Sequence, residues 1–273
     1  MNETAAELSP KMFQRFCELV YAKAGIHLGP QKEALVAARM GKRMRVLGVR
    51  RYEDYYEIVK NDASGDELVE MLNAISTNVT YFFREEHHFE LLTGLLRQWG
   101  AAGQRSFRIW CAAASTGEEP YTIAMTARAA LPDVRDFRIL ATDISTRALN
   151  VARAASYEPR HLEKVPDSLA RRFFRKETNE DGAVRYTVED DLRRMVTFAR
   201  LNLAHPPYPM KGPFDVVFCR NVMIYFDNPV RKALLDEAWR LLKPGGYLMV
   251  GHAESLSGML SHFRSVEPSV YIK

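Results

Sequence analysis

The sequence predicts an α/β protein in two parts. An all-helical N-terminal unit precedes an open, mostly parallel sheet that is covered by helices on both faces and carries a small β insertion. Three observations predict this. The first seventy-odd residues place apolar side chains at helical spacing. From about residue 107, short apolar runs alternate with helical patterns. Between about 156 and 201 that alternation lapses around an Asp181-Gly182 turn signal.

Taken in order, Ser9 and Pro10 supply an N-cap and a proline at the first helical position. Phe13, Phe16, Val20 and Tyr21 then recur at helical spacing until Gly25 ends the run. A second helix is expected over 32–47, with Val36, Met40, Met44 and Leu47 as its apolar stripe and Arg39, Lys42 and Arg43 on a neighbouring face. Ser64 and Glu67 have capping-box spacing ahead of Leu68, Met71, Leu72 and Ile75. Strands are expected over 107–113, 137–142, 214–219 and 247–251, and helices over 120–130 and 230–242. Lys243-Pro244-Gly245-Gly246 forms a turn. In the insertion, Asn179-Glu180-Asp181-Gly182 joins Phe173-Phe174-Arg175 to Val184-Arg185-Tyr186 as a small hairpin. The expected division is a helical domain over 1–76, a linking segment over 77–90 and the α/β domain over 91–273, with the β subdomain at about 157–198.

The bulk composition narrows the class. Of 273 residues, 47% are hydrophobic and 26% charged, ordinary for a globular protein. No run approaches the ~18 apolar residues of a membrane span, and the N-terminus has no basic-then-apolar leader. Cys17, Cys111 and Cys219 stand far apart without a CxxC pair, so neither a disulfide framework nor a zinc knuckle is expected. A cytoplasmic location follows from these readings. A net charge of +4 is too small to choose between nucleic acid, an anionic surface and an acidic protein partner.

Open α/β sheets bind ligands at the carboxyl ends of their strands, near the switch point. The first such end is Ala113-Ala114-Ser115-Thr116-Gly117-Glu118-Glu119-Pro120. It has small residues and one glycine but neither GxGxxG nor GxxxxGK[ST] spacing. Two carboxylates at a helix start repel a pyrophosphate and suit a cation or a ribose. The second end carries Asp143, placed either to hold ribose hydroxyls or to cap the next helix with Ser145. The third and fourth ends are Asn202-Leu203 and Arg220-Asn221. Each pair alone reads as loop solvation; four polar strand ends facing one crevice read as a site.

Leu242-Lys243-Pro244-Gly245-Gly246-Tyr247-Leu248 resembles the late turn and strand of many Rossmann-like methyltransferases. Four further segments are more specific: residues 77–84 (TNVTYFFR), 112–121 (AAASTGEEPY), 141–145 (ATDIS) and 218–226 (FCRNVMIYF). In this order they resemble CheR-type chemotaxis receptor glutamate O-methyltransferases over nearly the whole chain. That resemblance implies a Rossmann-like methyltransferase domain, S-adenosyl-L-methionine as cofactor, S-adenosyl-L-homocysteine as product, and glutamate methyl esters formed on receptors for sensory adaptation. It implies cofactor contacts from Asn78, Thr80, Arg84, Gly117, Glu118, Asp143, Asn202, Leu203, Arg220 and Asn221. Arg84 and Tyr225 match the residues beside the transferred methyl. Arg39, Lys42 and Arg43 match a docking surface for the acidic methylation helices of the receptor's cytoplasmic domain, although a solvated helix face is the plain alternative. The resemblance also implies a monomer recruited to membrane-bound receptor arrays without inserting in the bilayer. It leaves open whether the β subdomain binds a receptor's C-terminal peptide.

The residue types suit that chemistry. A glutamate carboxylate (pKa roughly 4.3) is already ionised near neutral pH, so no general base is expected. The protein must instead align the reacting atoms. Arg84 presents two parallel donors to a carboxylate, and Tyr225 offers a hydroxyl or a ring face. Phe82, Phe83 and Phe226 are read either as a dry wall or as core. Glu85, Glu86, His87 and His88 are adjacent, should point in different directions on a helix, and are not expected to share a metal ion. Two other functions stay in view. His205-Pro206-Pro207-Tyr208 resembles the loop of adenine-methylating enzymes, but a histidine stands where an amide or carboxylate is needed, and no basic groove supports nucleic acid. A sensor that keeps only the ligand pocket would be expected to lack Arg84, Asn78 or Tyr225, and all three are present.

Overall fold

A computed structural model describes residues 7–75, 79–179, 182–254, 256, 258–259 and 262–273. The helical unit contains α1 (Pro10–Ala24), α2 (Glu33–Leu47), α3 (Tyr52–Asn61) and α4 (Asp66–Ile75). Ser9 caps α1 through its side chain, and Gly25 ends it in the left-handed region. Phe16, fully buried, packs against the rings of Tyr52, Tyr55 and Tyr56, at centroid distances of 6.5, 6.1 and 5.5 Å. Removing such a ring from water contributes about 2–3 kcal/mol, the scale on which this small core holds together.

The expected capping box at Ser64 does not form. Asp62 Oδ2 takes the Glu67 N–H at 2.7 Å, and the Glu67 carboxylate turns inward to Arg43 and Tyr55. A partly buried arginine offers that carboxylate more than an exposed backbone amide does.

The α/β part begins with α5 (His87–Ala101), which opens inside the segment expected to be a linker. It continues through β1 (Ser106–Cys111), α6 (Glu118–Ala130), β2 (Asp136–Asp143) and α7 (Thr146–Ala154). Then follow β3 (Ser156–Tyr157), α8 (Asp167–Phe173), β4 (Phe174–Thr178), β5 (Val184–Val188), α9 (Asp190–Arg193) and β6 (Val196–Arg200). The chain ends with β7 (Phe214–Cys219), α10 (Asn228–Leu241), β8 (Leu242–Val250), β9 (Arg264–Glu267) and β10 (Val270–Ile272).

The main sheet has the order β6-β2-β1-β7-β8-β10-β9. Its first five strands run parallel, β10 runs antiparallel to β8, and β9 pairs antiparallel with β10 at the edge. Every residue of β7 is buried, as a central parallel strand requires. The chain builds β1, β2 and β6 outward to one side, then returns to build β7 and β8 on the other. The switch point therefore lies between β1 and β7. Trp110, fully buried, donates from Nε1 to Thr142 Oγ1 at 3.0 Å, and that hydroxyl donates to Ala112 O at 3.0 Å, tying β1 to β2 beneath the crevice.

The insertion is a three-stranded antiparallel sheet, β3-β5-β4. Its β4–β5 hairpin is the expected one, although residues 180 and 181 of its turn lie outside the described residues.

Candidate functional site

An open cleft of about 1100 Å³ sits at the carboxyl ends of β1, β2, β6 and β7. Its floor is Ala112, Ala113 and Ser115 after β1, Asp143 at the end of β2, Asn202 and Leu203 after β6, and Arg220 and Asn221 after β7. Thr80 and Arg84 form one wall, Val222, Tyr225 and Phe226 another. The helical unit closes a third side with Ala24, Ile26, His27, Leu28 and Ile75. Ile26 bridges to Phe226, and His27 N–H donates to Tyr225 O at 2.8 Å.

Asp143 is 8% exposed, and its carboxylate accepts from Ser115 N–H and Ser145 N–H, both at 2.8 Å. Burial raises its pKa, and the N–H donors oppose the rise. Ser145, and not Asp143, caps α7, accepting from Ala148 N–H at 3.1 Å. That separation leaves Asp143 lone pairs toward the cleft. Glu254, 5% exposed, accepts from Asn221, Met223 and Gly251 N–H at 2.7, 2.7 and 2.6 Å. It thereby shapes the turn over 220–226, where Asn221 adopts a positive φ of 57° and a 3-10 turn over Met223–Tyr225 presents Tyr225. The sequence reading missed this carboxylate, since a lone glutamate after a strand carries no pattern.

Of the expected cofactor residues, Glu118 and Gly117 are not among those that line the cleft. Glu118 is fully buried outside it, held by Thr116 Oγ1 at 2.6 Å and facing His161 Nδ1 at 3.1 Å. Glu119 lines it instead, because one helical residue turns the side chain by about 100°. Gly117 lies beneath the loop, with φ 99° and with Tyr157 Oη 2.7 Å from where a Cβ would sit. Arg220 reaches the cleft with its guanidinium already committed to Glu119 (2.6 Å), Glu85 (3.2 Å) and the Arg84 carbonyl. The Asn202 amide is also engaged, donating to Lys23 O at 2.7 Å and accepting from Ala204 N–H at 3.1 Å. Arg84 donates from Nη1 to Val79 O at 2.8 Å. Asn78 lies outside the described residues.

Phe82 and Phe83 are core and not a wall of the cleft. Phe82 is fully buried edge-on to Tyr157 and Phe174, and Phe83 packs on Phe89. Phe226 alone of the three faces the cleft. In the loop that resembles an adenine-methylating motif, Tyr208 is buried and donates to Leu203 O at 2.7 Å. It is part of the packing beneath the site. On α2, Arg43 forms a paired contact with buried Glu67 at 2.8 and 2.5 Å, and Arg39 donates to the Ala74 and Ile75 carbonyls. Of the three expected docking cations, only Lys42 is exposed.

His87 and His88 do not point apart: their ring centroids are 4.0 Å from each other. They sit on the first turn of α5, just after Glu85 at a positive φ of 57°, where the side chains have no preceding helical turn to hold them apart. Burial, then the Arg220 charge, pushes the His88 pKa down to about 2; burial, then His252, lowers that of His87.

A parallel sheet with this cleft at its switch point, small residues after β1 and an acid at the end of β2, is the Rossmann-like fold of an S-adenosylmethionine-dependent methyltransferase. The chain belongs to the CheR methyltransferase family. Residues 78–272 match its SAM binding domain, and residues 11–76 match its all-alpha domain. A probable chemotaxis protein methyltransferase of Rhizobium etli is 41% identical over 89% of this chain and 92% of its own. The chemotaxis protein methyltransferase of Escherichia coli is 40% identical over 99% and 93%. A solved glycopeptide N-methyltransferase complexed with sinefungin shares 16% identity over 58% of this chain and 48% of that one, at a TM-score of 0.35, too low to bear on the argument. The protein is thus a methyltransferase enzyme, and its cofactor is S-adenosylmethionine. Among the described residues, no helix is long and apolar enough to cross a membrane.

Proposed function

We propose that the protein methylates glutamate side chains of bacterial chemoreceptors in sensory adaptation. The observation that carries this reading is that Arg84 and Tyr225 line the same cleft as the strand-end residue Asp143, on walls built by different segments. An acceptor-gripping group and a ribose-gripping group thus share one cavity. Its relatives' names, which link them to chemotaxis, support the choice of acceptor.

The residues present fit the cofactor. Asp143 keeps lone pairs for ribose hydroxyls, while Leu203, Val222 and Phe226 give an apolar bed for a flat base. Glu119, paired with Arg220, places negative charge on the cleft wall beside a cationic donor. When bound, S-adenosylmethionine would supply a methyl group on a cationic sulfur, whose transfer to a glutamate oxygen would give the ester and leave S-adenosylhomocysteine. Arg84 orients the incoming carboxylate with paired N–H donors; its hold on the Val79 carbonyl keeps it at the mouth until then. The Tyr225 hydroxyl steadies the same oxygen or the sulfonium face. No side chain needs to remove a proton, since the acceptor is ionised near neutral pH. Phe226 and Ile26, bridged across the domains, exclude water from two ions whose charges cancel on reaction.

On the helical unit, Lys42 with its neighbouring exposed cations meets the receptor's acidic helices, steering encounter more than setting affinity. The enzyme works in this reading as a cytoplasmic monomer recruited to receptor arrays.

The test is transfer of labelled methyl from S-adenosylmethionine to chemoreceptor-containing membranes, wild type beside Arg84→Ala. Base-labile label on the receptor band, lost in the variant while cofactor binding persists, is expected. No incorporation across several receptors, despite cofactor binding, would overturn the reading.

A further inference from the structure

A histidine cluster on the flank of the cleft takes no part in the chemistry above. His87 and His88 open α5, and His252 follows the end of β8, so two separate elements deliver three imidazoles to one point. His252 Nε2 lies 3.2 and 3.3 Å from the two ring nitrogens of His87. One ring nitrogen from each of the three residues falls within 4.8 Å of the others. His88 is fully buried, and among the described residues neither of its ring nitrogens has a hydrogen-bond partner. Glu85 Oε2 stands 3.6 Å from His88 Nδ1 and 4.0 Å from His252 Nε2.

These features fit poorly with packing alone. A buried imidazole without partners forfeits about 1–3 kcal/mol, and buried polar atoms are nearly always satisfied. The His87 and His252 rings can share a proton at their contact, but His88 has no such partner among the described residues. An ion between the rings would supply one. With metal–nitrogen bonds of about 2.0–2.1 Å, tetrahedral ligands stand roughly 3.3 Å apart. The His87–His252 spacing already matches this, and all three nitrogens lie within 4.8 Å of one another. His252 is the exposed partner, its side chain 55% accessible, and it leaves a route in from solvent. The Arg220 guanidinium repels a cation here, but Glu85 and Glu119, both bonded to it, carry two negative charges against its one.

We propose that His87, His88 and His252, with the Glu85 carboxylate alongside, bind one divalent transition-metal ion of the imidazole-seeking class, such as zinc or cobalt. The site reaches the cleft through Glu85, which also receives Arg220 and Asn221 Nδ2 at 3.2 and 3.3 Å. Drawing Glu85 toward a metal loosens both cleft residues, so metal binding weakens cofactor binding. This coupling rests on the cofactor contacts proposed above; the metal site does not.

The experiment uses full-length protein purified without metal-chelate chromatography. Cobalt(II) is titrated into wild type, His252→Ala and His87→Ala while the visible ligand-field bands are recorded, with circular dichroism to check folding. The expected result is saturation at one ion per chain, weakened about tenfold or more in both folded variants, a loss typical of disturbed metal sites. Absence of saturable bands, or equal affinity in His252→Ala, would overturn the site. Cofactor affinity is then measured calorimetrically with and without zinc. A several-fold weakening in wild type and none in His252→Ala supports the coupling; no change in wild type overturns it. Neither readout depends on the methyl acceptor, so failure here is distinct from failure of the receptor reading.

Discussion

Arg84→Ala is expected to lower kcat/KM for the acceptor by about 100-fold, the effect of misplacing one reactant, while the cofactor Kd moves far less. Asp143→Ala should do the reverse, weakening cofactor by about tenfold through the loss of one or two buried hydrogen bonds. Steady-state rates against both substrates, with calorimetry for the cofactor, check the pair; equal effects on both ligands in both variants would sink the division of roles. At this scale the sequence was readable where identity alone decides, as at Asp143, Arg84 and Tyr225, which all face the cleft. It was unreadable where direction decides. Glu118 and Glu119 have the same chemistry, and only the start of α6 determines which of them turns to the cleft. Arg39 and Arg43 look like surface cations until α4 packs against them. His252 joins the rings of His87 and His88 only because β8 ends nearby.

At the scale of elements, the loop from β1 to α6 depends on Gly117. A Cβ there would lie 2.7 Å from Tyr157 Oη and 2.9 Å from Ala152 Cβ, and the φ of 99° strains any other residue. Gly117→Ala should therefore cost about 2–4 kcal/mol in urea unfolding, from strain and overpacking together. A second element-scale contact links α10 to the loop beneath the cleft. Glu237 accepts from Arg240 at 2.7 Å and from Tyr208 N–H at 2.8 Å, and these bonds hold its pKa below the usual 4.5 against the effect of burial. A depressed carboxylate contributes stability that is complete above its unfolded pKa and fades as pH falls through the folded one. Glu237→Gln should cost about 1 kcal/mol at pH near 7, discounted for the half-exposed Arg240, and nothing once the pH is well below 4.5. Chemical denaturation at both pH values checks it, and a gap that persists in acid would refute the assignment. The strands β1, β2, β7 and β8 were legible because buried parallel strands read as apolar runs. Strand β6, with no fully buried residue, and the exposed β9 gave no such run. Helix α3 hid because its stripe is built from Tyr52, Tyr55 and Val59 among charges.

At the scale of the whole molecule, the sequence showed two units but not that they share one cavity. The segment after α1 reverses at Gly25, whose positive φ of 66° lets Ile26 and His27 run back along Phe226 and Tyr225. No local pattern could announce a partner two hundred residues away. The consequence is that the helical unit shapes the cleft and, in the function proposed above, also offers the α2 face to the acceptor. The exposed Lys42 and the bound Arg43 separate these tasks experimentally. Lys42→Glu should lower kcat/KM for receptor methylation by about two- to fivefold at low ionic strength, as expected for a rim charge worth up to ~1 kcal/mol. The loss should fade at high salt, where the Debye length is only about 3 Å at 1 M. Its melting temperature should stay at the wild-type value. Arg43→Ala should instead lower the melting temperature, since it strands the Glu67 carboxylate inside the α2–α4 interface, and salt should not restore it. Initial rates on receptor membranes across a salt series, beside thermal melts, distinguish the two. A Lys42→Glu enzyme indistinguishable from wild type at low salt would mean that this face of α2 does not meet the receptor.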